Sequence, residues 1–260
     1  MVSLVPHVDL NADVGENPAA LADGTELSLI KMITSANIAC GGHAGDEGSM
    51  RSVVALCKSA GVAVGAHPGY PDCAGFGRQP MTIPGDVLDA SLRQQVHALR
   101  RVAGDLGVTL HHVKPHGALY NVSAVDASLA KLVALSVAAV DKNLALVGLA
   151  GSPALDEWRK GGFFVVGEAF ADRRYEPDGS LRLRKYDDAV IEDPVDAARQ
   201  AVDIVCRGGV TAADGSWLRV HAQTLCVHGD TKNVVAIASA VRRALGDEGV
   251  QIAAFSSLLR

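Results

Sequence analysis

The chain has 260 residues, a formal net charge of -5, and 48% hydrophobic but only 4% aromatic residues. That length suits a single α/β barrel domain over residues 1–260, and the abundance of Gly and Ala favours helices packed closely on a parallel sheet over a β-sandwich. The charge is mild and mixed, with no Lys/Arg-rich run or basic helix, which argues against nucleic acid or an anionic membrane as partner; no apolar run approaches transmembrane length, and Asp9 interrupts the N-terminal stretch before any signal-like segment.

In chain order, apolar runs of strand length fall at 5–10, 35–39, 62–66, 111–113, 145–149, 163–168 and 224–227. Helical stretches lie between them. Pro84-Gly85-Asp86 introduces one that reaches about Asp105, and Asp193-Pro194 introduces another. A third follows Asp230, with Val234, Ile237, Ala238, Val241 and Leu245 at helical spacing. Strand, loop and helix repeated to the end predict parallel βα units and a seven-stranded barrel. One segment breaks the rhythm. Residues 173–193 carry a Pro-Asp-Gly turn between short alternating runs and read as a hairpin inserted over the barrel mouth. The five cysteines, Cys40, Cys57, Cys73, Cys206 and Cys226, are odd in number and contain no CxxC, so a reducing cytoplasm is the expected setting.

Polar residues follow nearly every strand. Asp9, Asn11 and Asp13 alternate with Leu10 and Ala12 and share one face of an extended chain. His paired with Gly recurs in GGHAGD (41–46), GAHPGY (65–70), VKPHGALYN (113–121) and CVHGD (226–230). In a parallel barrel the loops leaving the strands' C-terminal ends build one face that carries the chemistry, so these groups should converge there. Asn37, His43, His67, Lys114, His116, Glu168, Asp172, His228 and Asp230 all qualify. Each also has a duller reading. Asp46 and Asp230 stand where a helix N-cap would. A lone His116 or His228 is more often a satisfied core histidine than a catalyst, and Arg78 and Arg173 serve equally as surface charges or as forks for a substrate carboxylate or phosphate. His7, His111, His112 and His221 fall outside the pattern and receive no role.

Several sharper chemistries are excluded. The chain contains no GxxxxGK[ST], no GxGxxG after a strand, no GxSxG and no HExxH. A metal held by Asp13, His43, His67 and His228 remains open, because imidazole and carboxylate suit divalent ions and these residues come from different strands.

The stretches DLNADVGE, NIACGGHAGD, VGAHPGYPDCAGFGRQPM, VKPHGALYN, EAFADRRYEPDGSL and CVHGD, in this order from Asp9 to Asp230, resemble the LamB/YcsF family of bacterial ATP-dependent 5-oxoprolinase subunits. Gly42, where many relatives carry an aromatic, and Gln79, where a second Arg is common, depart from that pattern. The resemblance implies a seven-stranded barrel akin to the glycosidase/deacetylase group. It also implies a role in opening the lactam of 5-oxoproline to L-glutamate, with ATP used by a complex that includes two partner subunits. On that reading Asp13 orients or deprotonates water, and Lys114, His116, His43 and His67 stabilise charge or protonate the leaving nitrogen. Asp9 and Asn11 fix Asp13, and Arg78 or Arg173 meets the substrate carboxylate, with Asp46, His228 and Asp230 beside it. No nucleotide motif lies in this chain, so ATP binding is expected of the partners. The rival readings are a metal-dependent deacetylase or amidohydrolase and a noncatalytic scaffold subunit.

Overall fold

The structure, a computed structural model, describes residues 6–255. The elements run β1 (His7–Val14), α1 (Pro18–Ala22), α2 (Thr25–Ile30), β2 (Ser35–Ala39), α3 (Glu47–Ala60), β3 (Ala63–His67), α4 (Gly85–Asp105), β4 (Leu110–Val113), α5 (Gly117–Val125), α6 (Ala127–Val140), β5 (Ala145–Leu149), α7 (Pro153–Lys160), β6 (Val165–Phe170), α8 (Pro194–Arg207), β7 (Gly209–Thr211), β8 (Trp217–Arg219), β9 (Thr224–His228), α9 (Val234–Asp247) and β10 (Gln251–Ile252). Seven strands, β1 to β6 and β9, pair in parallel, and pairing of β9 with β1 closes them into a barrel. β10 adds two residue pairs to β1 at the end away from the mouth. The predicted strand start at Val5 lies outside the described residues. No helix among the described residues is long and apolar enough to cross a membrane.

Local signals explain the helices. Asp46 and Ser49 form a reciprocal capping box on α3, and Gly61 ends that helix in the left-handed region at φ 69°. Its buried Met50, Val53, Val54 and Cys57 recur at i, i+3, i+4 and i+7, the stripe that packs on the barrel wall. Asp193 accepts from Val195 N and Asp196 N ahead of Pro194 at the first position of α8. Asp230 caps nothing, because α9 starts later, behind Asn233.

The 173–193 insertion holds only two isolated antiparallel bridges, Arg173 to Val190 and Tyr175 to Leu181, instead of paired strands. The Arg173 side chain ties the segment together by donating to the carbonyls of Ala189 and Arg182. A regular two-stranded hairpin occurs elsewhere, β7 with β8, turning at Asp214-Gly215.

The apolar core lies between barrel and helices, while the barrel interior is layered with polar side chains. At the bottom, Asp9 accepts from the hydroxyls of Thr34, Ser35 and Thr224. One level up, Asn11 donates to Glu168 and Thr224, Asn37 donates to Asn11, and His112 lies 2.8 Å from Asn37. Gly65 makes room for that imidazole, since a Cβ there would stand 2.1 Å from His112 Nε2. Burial raises the Asp9 carboxyl from 3.8 to about 6. A raised folded-state value means that Asp9 contributes stability fully present below about pH 4 and lost as pH rises through about 6. The loss is roughly 3 kcal/mol at about 1.4 kcal/mol per unit. Asp9→Asn should flatten this component in denaturant melts at pH 4 to 7; an unchanged slope in the variant would assign it to another group.

Candidate active site

The top of the barrel gathers the charges. Asp13, at the C-terminal end of β1, accepts from Asn37 Nδ2 and from Lys114 Nζ, both at 2.8 Å. Lys114 also lies 2.9 Å from Glu168 and 3.2 Å from Cys226 Sγ. Lys114 is 2% exposed and Glu168 0%, so the ammonium and both carboxylates form a buried triad. Burial would push Lys114 down, but the carboxylates of Asp13 and Glu168 hold it well above its ordinary value. Burial would likewise raise Asp13, yet His67 and Lys114 keep it ionised well below the usual range. The Cys226 thiol is pushed well up by burial and stays protonated.

Beside the triad stand three imidazoles and Glu16. Glu16 Oε1 is 2.9 Å from His43 Nε2, 3.2 Å from His116 Nδ1 and 3.7 Å from His67 Nε2. The rings of His43 and His116 stack at 3.5 Å, and His67 meets both edge-on. His67 Nε2 is also 3.3 Å from Asp13 Oδ2. Burial would raise Glu16, but the imidazoles of His116 and His43 beside it hold it well below its ordinary range. Burial drops His43 to about 4 and lowers His116, so both stay neutral, while Asp13 outweighs burial and raises His67.

Glycine geometry builds this corner. Gly117 has φ 55°, and a Cβ there would lie 2.6 Å from the Gly77 carbonyl, so the loop after β3 presses against the start of α5 behind His116. Phe76, a non-glycine residue at positive φ (55°), turns its carbonyl to His116 Nε2 at 2.9 Å.

A cavity of about 1090 Å³ opens above, with Asp13, Glu16, His67, Lys114, His116 and His228 at its floor and Arg78, Arg184 and Asp230 around it. Asp230 pairs with Arg78 and, at 3.3 Å, with Arg184 of the insertion. His228 donates to Asp172, which accepts also from Thr231 and is held at about 2 by His228 against burial.

Of the residues singled out in the sequence, Asp13, His43, His67, Lys114 and His116 converge. His228, Arg78, Arg173 and Asp230 line the same cavity, but Arg173 spends its guanidinium on backbone carbonyls and therefore anchors the insertion. Asp9 and Asn11 sit below the floor and support it from inside the barrel. Asp46 is exposed at the start of α3 and lines no part of the mouth, because its carboxylate caps Ser49 N. The four metal candidates divide: His43 and His67 group with Glu16 and His116, and Asp13 and His228 with Cys226. Glu16, Cys226 and Arg184 join the site without a role expected from the sequence, and Glu168, a strand-end polar residue there, gains one as the second carboxylate on Lys114. Glu16 escapes sequence reading although it ends the DLNADVGE stretch, since Gly15 at φ 76° breaks the alternation that marks Asp9, Asn11 and Asp13.

The LamB/YcsF family model matches residues 8–260. The A-subunit of 5-oxoprolinase from Chloroflexus aggregans is 49% identical over 94% of this chain and 97% of its own length. That of Methylococcus capsulatus is 46% identical over 97% of each. A crystal structure of a lactam utilization protein from Thermus thermophilus superposes with a TM-score of 0.88 at 44% identity, covering 96% of this chain and 100% of that one. A truncated 3-deoxy-D-arabino-heptulosonate 7-phosphate synthase from Thermotoga maritima, at a TM-score of 0.51 and 7% identity, covers 95% of this chain and 90% of its own and shares the barrel alone.

Proposed function

This chain belongs to the LamB/YcsF family, and we propose that it opens the lactam of 5-oxoproline to L-glutamate as one member of an ATP-dependent 5-oxoprolinase with two partner subunits. The naming of its relatives as the A-subunit of 5-oxoprolinase supports the substrate and the complex. The observation that carries the chemistry is the buried Asp13–Lys114–Glu168 triad at the base of the cavity.

Lactam hydrolysis adds water to the ring carbonyl, develops negative charge on its oxygen, and breaks the C–N bond with a proton delivered to nitrogen. Asp13 is ionised and held by Asn37 and Lys114, so it is placed to take the water's proton. Lys114, kept cationic in a dry site, stabilises the oxyanion. If the carbonyl oxygen is first phosphorylated, Lys114 meets the phosphate instead; 5-oxoproline, ATP and two waters then give glutamate, ADP and phosphate. The raised pKa of His67, next to Asp13, suits it to return a proton to the leaving nitrogen. Arg78 at the rim serves the substrate carboxylate by exchanging Asp230 for it.

The chain carries no recognisable phosphate-binding loop, so nucleotide binding falls to the partners. Purified alone with ATP and Mg²⁺, the chain is expected to hydrolyse no ATP and to release no glutamate from 5-oxoproline, with both activities appearing on addition of the partner proteins. Tight ATP binding by calorimetry together with glutamate release from this chain alone would reverse the division of labour. Full activity of a complex in which this chain carries Asp13, His43 and Lys114 substitutions together would make the chain a scaffold.

A further inference from the structure

Proton bookkeeping at the imidazole cluster leaves a gap. His67 Nδ1 lies 2.8 Å from the Lys114 carbonyl and His116 Nε2 lies 2.9 Å from that of Phe76. Carbonyl oxygens only accept, so both of these nitrogens carry hydrogen. In the neutral rings, His67 Nε2 and His116 Nδ1 then present lone pairs to one another at 3.0 Å. Glu16 Oε1 faces His116 Nδ1 at 3.2 Å, and Asp13 Oδ2 faces His67 Nε2 at 3.3 Å. Acceptors therefore converge on a pocket where side-chain exposure is 9% for Glu16, 0% for His43, 1% for His67 and 7% for His116. Such crowding calls for a positive charge at the centre, either a proton shared by His67 and His116 or a metal ion. Every ion-pair partner of Glu16 among the described residues is an imidazole, so no Lys or Arg supplies one.

We infer that Glu16, His67 and His116, with His43 as fourth donor, form a binding site for a divalent transition metal of the zinc type. The donor spacing fits. A tetrahedral ion with ligands at about 2.0–2.1 Å needs donors about 3.3 Å apart. The contacts here are 2.9, 3.0, 3.2 and 3.7 Å, and all four donor atoms lie within 4.8 Å of one another. Nitrogen-rich donors with one carboxylate favour zinc-like ions over magnesium or calcium. The outer hydrogen bonds of His67 and His116 to backbone carbonyls are the support that fixes ring orientation and tautomer in metal sites. His43 is held least, since its Nδ1 is buried without a hydrogen-bond partner. The neighbouring trio of Asp13, Cys226 and His228 is a poor rival, because Lys114 Nζ already places a positive charge 2.8 Å from Asp13 and 3.2 Å from Cys226. A metal beside Asp13 would supply Lewis-acid polarisation of a carbonyl or of water. With an ion bound, His67 Nε2 would be a ligand without a proton, and Asp13 would itself return the water's proton to the leaving nitrogen; the assignment stands on the donor geometry and holds whatever the substrate.

The full chain, purified without a histidine tag and stripped by chelator, should be titrated with Zn²⁺ in a calorimeter and with Co²⁺ by visible absorption. One ion per chain is expected. Glu16→Gln and His116→Ala should each weaken Zn²⁺ binding by about 100-fold or more, beyond the loss seen when supporting residues alone are changed. His97→Gln, on the exposed face of α4, should leave it unchanged. X-ray absorption of the wild-type complex should show imidazole and oxygen donors at about 2.0–2.1 Å, a readout independent of whether the variants fold. Absence of Zn²⁺ and Co²⁺ binding by the wild-type chain, or binding undiminished in correctly folded Glu16→Gln and His116→Ala proteins, would overturn the site and leave a proton-bridged cluster in its place.

Discussion

Asp13→Asn is expected to lower glutamate release by the reconstituted complex by about 100-fold or more, the usual scale for loss of a positioned base. Asparagine keeps the size of the side chain, and its amide oxygen can still accept from Asn37 and Lys114 in place of Oδ1. What disappears is the negative charge and the ability to take a proton. The amide nitrogen would turn toward His67 Nε2, where Asp13 Oδ2 now lies 3.3 Å away, and the influence that raises His67 would vanish with the carboxylate. The proposed base and its neighbour His67 are thus impaired together, so the loss should appear in kcat more than in KM. Co-purification with the partner subunits is the control for assembly. Undiminished turnover in an assembled complex would remove Asp13 from the mechanism.

Much of this arrangement is legible in the sequence, for physical reasons. Strands buried on both faces stand out as apolar runs, and the parallel barrel obliges whatever follows them to meet at one end. Alternation rightly puts the odd-numbered polar residues of β1 on one face, yet that face runs the depth of the barrel. Asp9 and Asn11 are therefore scaffolding, and only Asp13 of the three reaches the mouth. Periodicity tells which residues share a face and not how deep each lies. Glu16 stays hidden because a left-handed glycine resets the direction of the chain just before it. Asp46 misleads for the opposite reason: it stands near His43 in sequence, but its backbone opens a helix that leads away from the mouth. The Asp214-Gly215 hairpin carries a recognisable turn signal. The 173–193 segment shows a similar signal and forms only bridges, with the Arg173 side chain adding hydrogen bonds to the carbonyls of Ala189 and Arg182 that tie it together.

Lys114→Met is expected to carry the largest stability cost of any single substitution at the mouth. Methionine fills much of the lysine's volume, so packing loss is small and the effect isolates the charge. Asp13 and Glu168 would be left buried with no ammonium between them, each having lain within 2.9 Å of it. Removing one partner of a buried ion pair costs about 3–5 kcal/mol, because the remaining charge has neither water nor counter-ion. Urea unfolding at neutral pH should show a midpoint drop of that size without a change in slope. Electrostatics predicts a further signature. With the cation gone, the Asp13 carboxyl loses a partner that keeps it ionised and gains a reason to hold its proton in the folded state, so the deficit should shrink as pH falls toward the ordinary carboxylate range. Adding Glu168→Gln should recover part of the loss, since one carboxylate still has Asn37 and His67 beside it while two have each other. A deficit below about 1 kcal/mol, the scale of an exposed pair, would mean that water reaches the triad and that Lys114 does not act from a dry site.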